Sequence, residues 1–239
     1  MDKIFIAGCS FSDWSQVEYN YGEYLGQTLE VPAKFYTSGC GSNYRIWRKI
    51  VPAITSGEIT EKDLLIIQYT SVERKEFWSS FKSPNAADYG NNGHPIKGSS
   101  MREEYGDGEI IKYKVYADTW QNVIEEKTFF KSYEENFLYT PFEVELFNTY
   151  HTMFRGLLHQ YKIPTIFLHT HYCYNTHTLK EVTSPYQHYL DVRHLQVPEL
   201  CFEKDTCSHL TEEGHKELAN VLAGYIKKCK TFTDTRSML

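Results

Sequence analysis

Apolar and polar positions along this chain follow two periods, and the switches between them mark the elements. Residues 3–8 form a short apolar run ending in Gly8-Cys9-Ser10, which reads as a buried strand entering a tight turn that presents a serine. Residues 19–30 carry Tyr21, Tyr24, Leu25 and Leu29 near helical spacing, and Pro32 follows. Residues 33–36 read as a second strand. The loop of Gly39 and Gly41 then opens a helix capped by Ser42 or Asn43. Its apolar side holds Ile46, Trp47, Ile50 and Val51, and Gly57 marks its exit. Residues 63–69, with Leu64, Leu65, Ile66 and Ile67 in succession, are the clearest buried strand in the chain.

The alternation then breaks. Residues 73–139 carry Gly, Asn, Ser, charge and aromatic residues without clean periodicity. Within them 85–108 reads as loop, and 110–116 alternates like a strand of a small hairpin. A loop this long in a compact domain is usually a lid or a binding insertion, and a variable excursion without a role is the even alternative. Helical periodicity returns over 140–161, with Phe142, Leu146, Phe147, Tyr150, Phe154, Leu157 and Leu158 on the expected buried side and Pro164 as its stop. Residues 165–171 read as a fourth strand and 172–200 as a second irregular insertion. A closing helix over 212–228 is capped by Thr211, with Glu212 and Glu213 favouring its dipole.

Strand, helix, strand, helix, strand in this order predicts a parallel sheet with right-handed crossovers. The expected fold is α/β: a three-layer α/β/α sandwich of flavodoxin-like type, one domain over 1–239. Its insertions, at about 73–139 and 172–200, lie over the C-terminal edge of the sheet.

Composition changes this picture little. The formal net charge of −6 and the lack of a basic run argue against a nucleic-acid partner. No apolar stretch is long enough to span a membrane, and the first residues read as a strand rather than a signal peptide. Cys9, Cys40, Cys173, Cys201, Cys207 and Cys229 are scattered, which suggests neither a zinc site nor a disulfide framework. A cytoplasmic location with reduced thiols is therefore expected. The 19 tyrosines suit either a cleft for sugars and flat ligands or a core.

Chemistry concentrates at the two ends. The chain begins with a presented Ser10 and ends with Asp205, His209 and Gly214-His215 before the last helix. A hydrolytic serine needs a base for its proton and an orienter for that base. His169 and His171 alternate on the fourth strand and share a face. No acidic third ligand accompanies them, so a cleft wall with Tyr172, Tyr174 and His177 is expected rather than a metal site.

These residues resemble the SGNH (GDSL-type) hydrolases. Gly8-Cys9-Ser10 is similar to the family's first motif, Gly-Asp-Ser. Asp205, His209 and Gly214-His215 are similar to its last, Asp-x-x-His before a helix, although three residues rather than two separate Asp205 from His209. Ser38-Gly39-Cys40-Gly41-Ser42-Asn43 looks like its glycine motif. The third motif departs: Gln68-Tyr69-Thr70-Ser71 stands where the family has Gly-x-Asn. This stretch, followed by Arg74, is similar to SGNH-like proteins that include phage-encoded ones.

The resemblance implies Ser10 as nucleophile, His209 as base and Asp205 as its orienter, with Glu203 and Asp191 as alternative acids. It further implies an oxyanion hole from the backbone N–H groups of Ser10 and Gly41. Asn43 is a candidate for an added amide and equally for a helix cap; Thr70 or Ser71 is a candidate for a hydroxyl.

The function so implied is ester hydrolysis through a Ser10 acyl-enzyme, on an O-acetyl or other acyl group of a carbohydrate or lipid. No cofactor is implied, and a small-molecule or carbohydrate ester is the expected partner. Trp78, Trp120, Phe129 and Tyr172 are expected at the mouth of the site. Two rivals stand beside this: an SGNH-like carbohydrate-binding module that has lost turnover, and an FMN-binding flavodoxin-like protein using Ser10-Phe11-Ser12 as a phosphate loop.

Overall fold

The computed structural model describes residues 1–12, 17–38, 41–72, 74–79, 102–105, 108–113, 132–133, 140–170, 184–202, 209–229 and 232. Five strands, β1 (Ile4–Gly8), β2 (Ala33–Thr37), β3 (Leu64–Gln68), β7 (Thr165–His169) and β8 (Gln187–Asp191), form a sheet in the order β2-β1-β3-β7-β8. Every pairing in it is parallel. This is the doubly wound order in which the strand sequence reverses between β1 and β3, and such switch points open a crevice at the C-terminal edge.

Among the described residues, four helices flank the sheet: α1 (Tyr21–Leu29), α2 (Asn43–Thr55), α3 (Thr140–Gln160) and α4 (Glu212–Lys228). Strand side chains alternate between faces. Ile4, Ile6, Leu64, Ile66, Ile166 and Leu168 pack with Leu25 of α1 and Leu218, Leu222 and Ile226 of α4. Phe5, Ala7, Leu65, Ile67, Tyr69 and Phe167 pack with Ile46, Trp47 and Ile50 of α2 and Phe147, Phe154 and Leu158 of α3. The three-layer α/β fold expected from the sequence is the fold observed.

Three expectations are corrected. First, β8 lies inside the stretch taken as irregular, 172–200. As an edge strand it is buried at Gln187, half-buried at His188, Tyr189 and Leu190 and exposed at Asp191, so its sequence carries no continuous apolar run to reveal it. Second, β4 (Lys75–Ser79), β5 (Arg102–Tyr105) and β6 (Gly108–Tyr113) lie within 73–139 and form a three-stranded antiparallel sheet. Only the β6 strand of this hairpin was legible, because β5, Arg-Glu-Glu-Tyr, has no apolar alternation. This sheet is fastened to the helices by charge. Arg48 of α2 grips both Glu76 oxygens, at 3.1 and 3.2 Å, and Lys75 pairs with Glu143 of α3 in the interior.

Third, the buried face of α3 is Glu143, Phe147, His151, Phe154 and Leu158, while Phe142 and Tyr150 are exposed. Two apolar stripes run along α3, and the buried one holds polar residues with partners. Lys75 meets Glu143, and the Tyr69 hydroxyl lies 3.0 Å from His151 Nδ1. The end of α3 is set by Lys162 in the left-handed region (φ 54°), two residues before Pro164.

Candidate active site

Ser10 opens a short 3-10 turn, Ser10–Ser12, directly after β1 at the switch point. The reason for glycine at position 8 is space. A Cβ there would sit 2.7 Å from Ser12 Oγ and 3.0 Å from Gln68 Oε1, so any side chain would push the turn off its seat. The turn is tied to α1, whose Asn20 cap donates from Nδ2 to the Ser12 carbonyl at 3.3 Å. The Tyr21 hydroxyl meets Ser12 Oγ at 2.9 Å.

His209 arrives from the other end of the chain. An antiparallel bridge between Cys201 and Leu210 brackets it, and its carbonyl accepts the Phe202 N–H at 3.1 Å. Thr211 caps α4 by accepting Gly214 N–H at 3.2 Å, and its own N–H and hydroxyl reach the Leu200 carbonyl. A Cβ on Gly214 would lie 2.4 Å from that carbonyl, so glycine permits the close approach of α4 to the histidine loop. The result is that His209 Nε2 lies 2.8 Å from Ser10 Oγ, across 199 residues of sequence. With its Nδ1 protonated, the imidazole accepts the Ser10 O–H at Nε2, which is the geometry a general base requires.

His215, one and a half turns on, is buried and serves a different purpose. Its Nδ1 accepts the Tyr21 N–H at 3.2 Å, and burial, together with the nearby His209, pushes its pKa down to about 4. It fastens α4 to the start of α1 as a neutral ring.

The expected oxyanion donors divide into two pairs. Gly41 is brought against the serine turn, where an added Cβ would lie 3.7 Å from the Gly8 carbonyl, but its N–H donates to the Ser38 carbonyl at 3.0 Å. Ser42, not Asn43, caps α2. The Asn43 side chain instead clamps the backbone of Thr70, accepting its N–H at 2.8 Å and donating to its carbonyl at 2.9 Å.

The other pair is uncommitted. Ser10 N–H donates to no carbonyl among the described residues, and the buried Thr70 hydroxyl has no hydrogen-bond partner. The β1–β3 register, which pairs Ala7 with Ile67, puts the turn after β1 and the strand end before Thr70 at the same edge of the sheet.

Cys9, where the resembled motif has Asp, is buried and lies 3.2 Å through Sγ from Gln68 Oε1. Burial acts to raise its pKa, yet the Arg74 guanidinium and the Phe11 backbone, with polar groups of Thr70 and Gln68 close by, outweigh it and lower it. A Cys9 thiolate would thus draw the Thr70 hydroxyl to itself, whereas the neutral thiol leaves it available.

Asp205, Glu203, Tyr172, Tyr174, His171, His177, Trp120 and Phe129 lie outside the described residues. Asp191, the distant alternative acid, is held by Arg193, which also keeps its carboxyl low, and lies 3.8 Å from His169 Nδ1. As for a phosphate loop, the Ser10 hydroxyl is on His209 and the Ser12 hydroxyl is on Tyr21, so neither faces a free cradle. Along the sequence Gln68 opens the stretch that departs from the third motif, and its one further signal is an amide closing the apolar run Leu-Leu-Ile-Ile, where burial obliges it to find partners.

No protein-family model matches the chain, and no curated protein matches it in sequence. Among solved structures, one assigned to the lipolytic G-D-S-L family, from Desulfitobacterium hafniense DCB-2, superposes with a TM-score of 0.50. The match covers 94% of this chain and 99% of that one at 11% identity. The likeness is one of fold. Among the described residues, no helix is long and apolar enough to cross a membrane.

Proposed function

We propose that this chain is a divergent SGNH-type serine esterase that works through a Ser10 acyl-enzyme. One observation carries the reading: Ser10 Oγ and His209 Nε2 stand 2.8 Å apart at the switch point of the sheet. His209 takes the Ser10 proton as Oγ attacks the ester carbonyl, then returns a proton to the leaving alcohol. Water repeats the sequence on the acyl-enzyme and releases the acid. Ser10 N–H and the Thr70 hydroxyl are the oxyanion donors this reading favours, since neither has a partner among the described residues; Gly41 N–H serves only if its bond to Ser38 opens. Asp205 is the acid proposed to orient His209. The resemblance suggests an O-acetyl or other acyl group on a carbohydrate or lipid.

The non-catalytic binding module is the second reading, favoured by the engagement of Gly41 N–H and the Asn43 amide elsewhere. Intact-protein mass spectrometry after fluorophosphonate treatment separates the two. The esterase gains one phosphonyl group, mapped to Ser10 and lost in Ser10→Ala. A wild-type protein that stays unmodified is the module.

A further inference from the structure

We propose that Gln68 is a positioning residue for Ser10, a claim that rests on the reading of Ser10 as a nucleophile. Gln68 ends β3 on the face of Leu64 and Ile66 and is fully buried. A primary amide there is tolerated only when its donors and acceptor are used. Its Oε1 accepts the Cys9 N–H at 3.2 Å, the Cys9 thiol at 3.2 Å and the Ser12 hydroxyl at 3.4 Å, while its Nε2 donates to the Tyr69 carbonyl. The orientation of the amide has no ambiguity. A backbone N–H can only donate and a backbone carbonyl can only accept, so a flipped amide would lose both.

Cys9 and Ser12 flank Ser10 and Phe11. One oxygen therefore holds both ends of the turn, and the peptide planes between them, including the one bearing Ser10 N–H, have little freedom to rotate. Tyr21 adds a further link, since its hydroxyl donates to Ser12 Oγ once Ser12 donates to Gln68. On the other side, Nε2 fixes Tyr69 directly before Thr70, whose N–H and carbonyl Asn43 clamps. Gln68 thus joins the turn carrying the nucleophile to the strand end carrying the Thr70 hydroxyl. The crowding that excludes a side chain at Gly8 is produced by this same contact. The network touches no substrate atom; it acts by placing Ser10.

The test compares Gln68→Met, Gln68→Glu and Gln68→Asn with wild type. Met keeps the volume and removes the amide; Glu keeps the reach and the acceptor oxygen; Asn keeps the amide and loses the reach. Three quantities are read: the second-order rate of fluorophosphonate labelling at Ser10, kcat and KM for ester hydrolysis, and hydrogen exchange of peptides covering residues 4–12, β3 and β7. Displacing a reacting group by about 1 Å costs on the order of 10²-fold. Met and Asn are expected to label about 10²-fold more slowly, with kcat for ester hydrolysis falling and KM held, and with exchange rising at 9–12 but not across β3 and β7. Glu is expected within about tenfold of wild type.

Met and Asn variants that label at the wild-type rate with unchanged exchange overturn the proposal. So does a loss of protection spread evenly over the sheet, which marks a structural role alone. Should the Met variant not fold, the Asn variant decides by the same criteria. If wild-type Ser10 itself fails to label, the esterase reading falls. The local exchange contrast then decides alone whether Gln68 holds the turn.

Discussion

On one side of the parallel sheet, α1 and α4 cover a core that is mostly aliphatic, with Ile4, Ile6, Leu64, Ile66, Ile166 and Leu168 against Leu25, Leu218 and Leu222. On the other, α2 and α3 cover an aromatic core in which Trp47, Tyr69, Phe147, His151 and Phe167 meet ring to ring at 5.0 to 6.0 Å. Each face buries a neutral histidine, His215 on the first and His151 on the second. His215 accepts from the Tyr21 backbone and so connects to Ser12, Gln68 and the Ser10 turn. His151 accepts from the Tyr69 hydroxyl, whose oxygen in turn accepts from Trp47 Nε1 at 3.2 Å, and this chain ends within the core. Aliphatic side chains fill space without direction. The hydrogen bonds at the edge of that face are therefore free to be spent on holding the serine turn. The aromatic face uses its polar atoms to lock its own rings.

The comparison predicts that function and stability separate by face. The largest effect belongs to the serine edge. Ser10→Ala and His209→Ala are each expected to lower p-nitrophenyl ester hydrolysis by roughly 10⁴-fold or more, with no large change in Tm, because members of such a pair act as a unit. Ester hydrolysis at the wild-type rate in Ser10→Ala would remove the mechanism.

On the aromatic face, Trp47→Ala is expected to cost about 3–5 kcal/mol in denaturant unfolding. Labelling of Ser10 in the folded fraction should stay within about twofold. A labelling loss as large as that of Gln68→Met would erase the distinction between the faces.

The two faces differ also in how far the sequence announced them. Continuous apolar runs made β1, β3 and β7 legible, because a central parallel strand is buried on both sides. The edge strand β8 and the charged β5 carry no such run and went unread. Ser10 and His209 were legible as residue types placed after a strand and before a helix. Gln68 was not, because its role depends on which atoms lie across the sheet from it rather than on spacing along the chain. The same holds for Asn43, whose clamp on Thr70 spans 27 residues and looks like a helix cap in sequence.

Acid titration offers a smaller contrast. Burial lowers His215 to about 4 and His151 to about 3, against 6.5 for the free ring, with His209 acting on the first and Arg155 on the second. Both folded pKa values are depressed, so the unfolded chain binds more protons below pH 6.5. Stability is therefore full above that pH and falls as pH drops toward 4 and then 3, by about 3 kcal/mol for His215 and about 5 kcal/mol for His151. His151→Leu should flatten the curve and spare labelling at pH 7.5. His215→Leu should flatten it and slow labelling, because Tyr21 N–H loses its acceptor. Equal labelling in the two variants would mean that His215 has no hold on the site.

The finest contrast deletes one hydroxyl on each face. Tyr69→Phe strips a shared partner from Trp47 Nε1 and His151 Nδ1, leaving two buried groups unsatisfied. A cost of about 2 kcal/mol is expected, with Ser10 labelling unchanged. Tyr21→Phe strips one donor from Ser12 Oγ, which keeps its own bond to Gln68 Oε1, so no polar group is orphaned. Its expected cost is about 1 kcal/mol or less. Ser12 nevertheless loses one of its ties to α1, leaving Gln68, the Asn20 amide and its own N–H bond to the Cys9 carbonyl to hold it. Labelling should slow by roughly threefold, the scale of a network member that does not touch the nucleophile. The prediction is thus an inversion: the variant that costs less stability costs more reactivity. Paired chemical denaturation and labelling on the two proteins reads it directly, and a reactivity loss that tracks stability in both would show that the serine turn is held by the bulk of the fold rather than by this network.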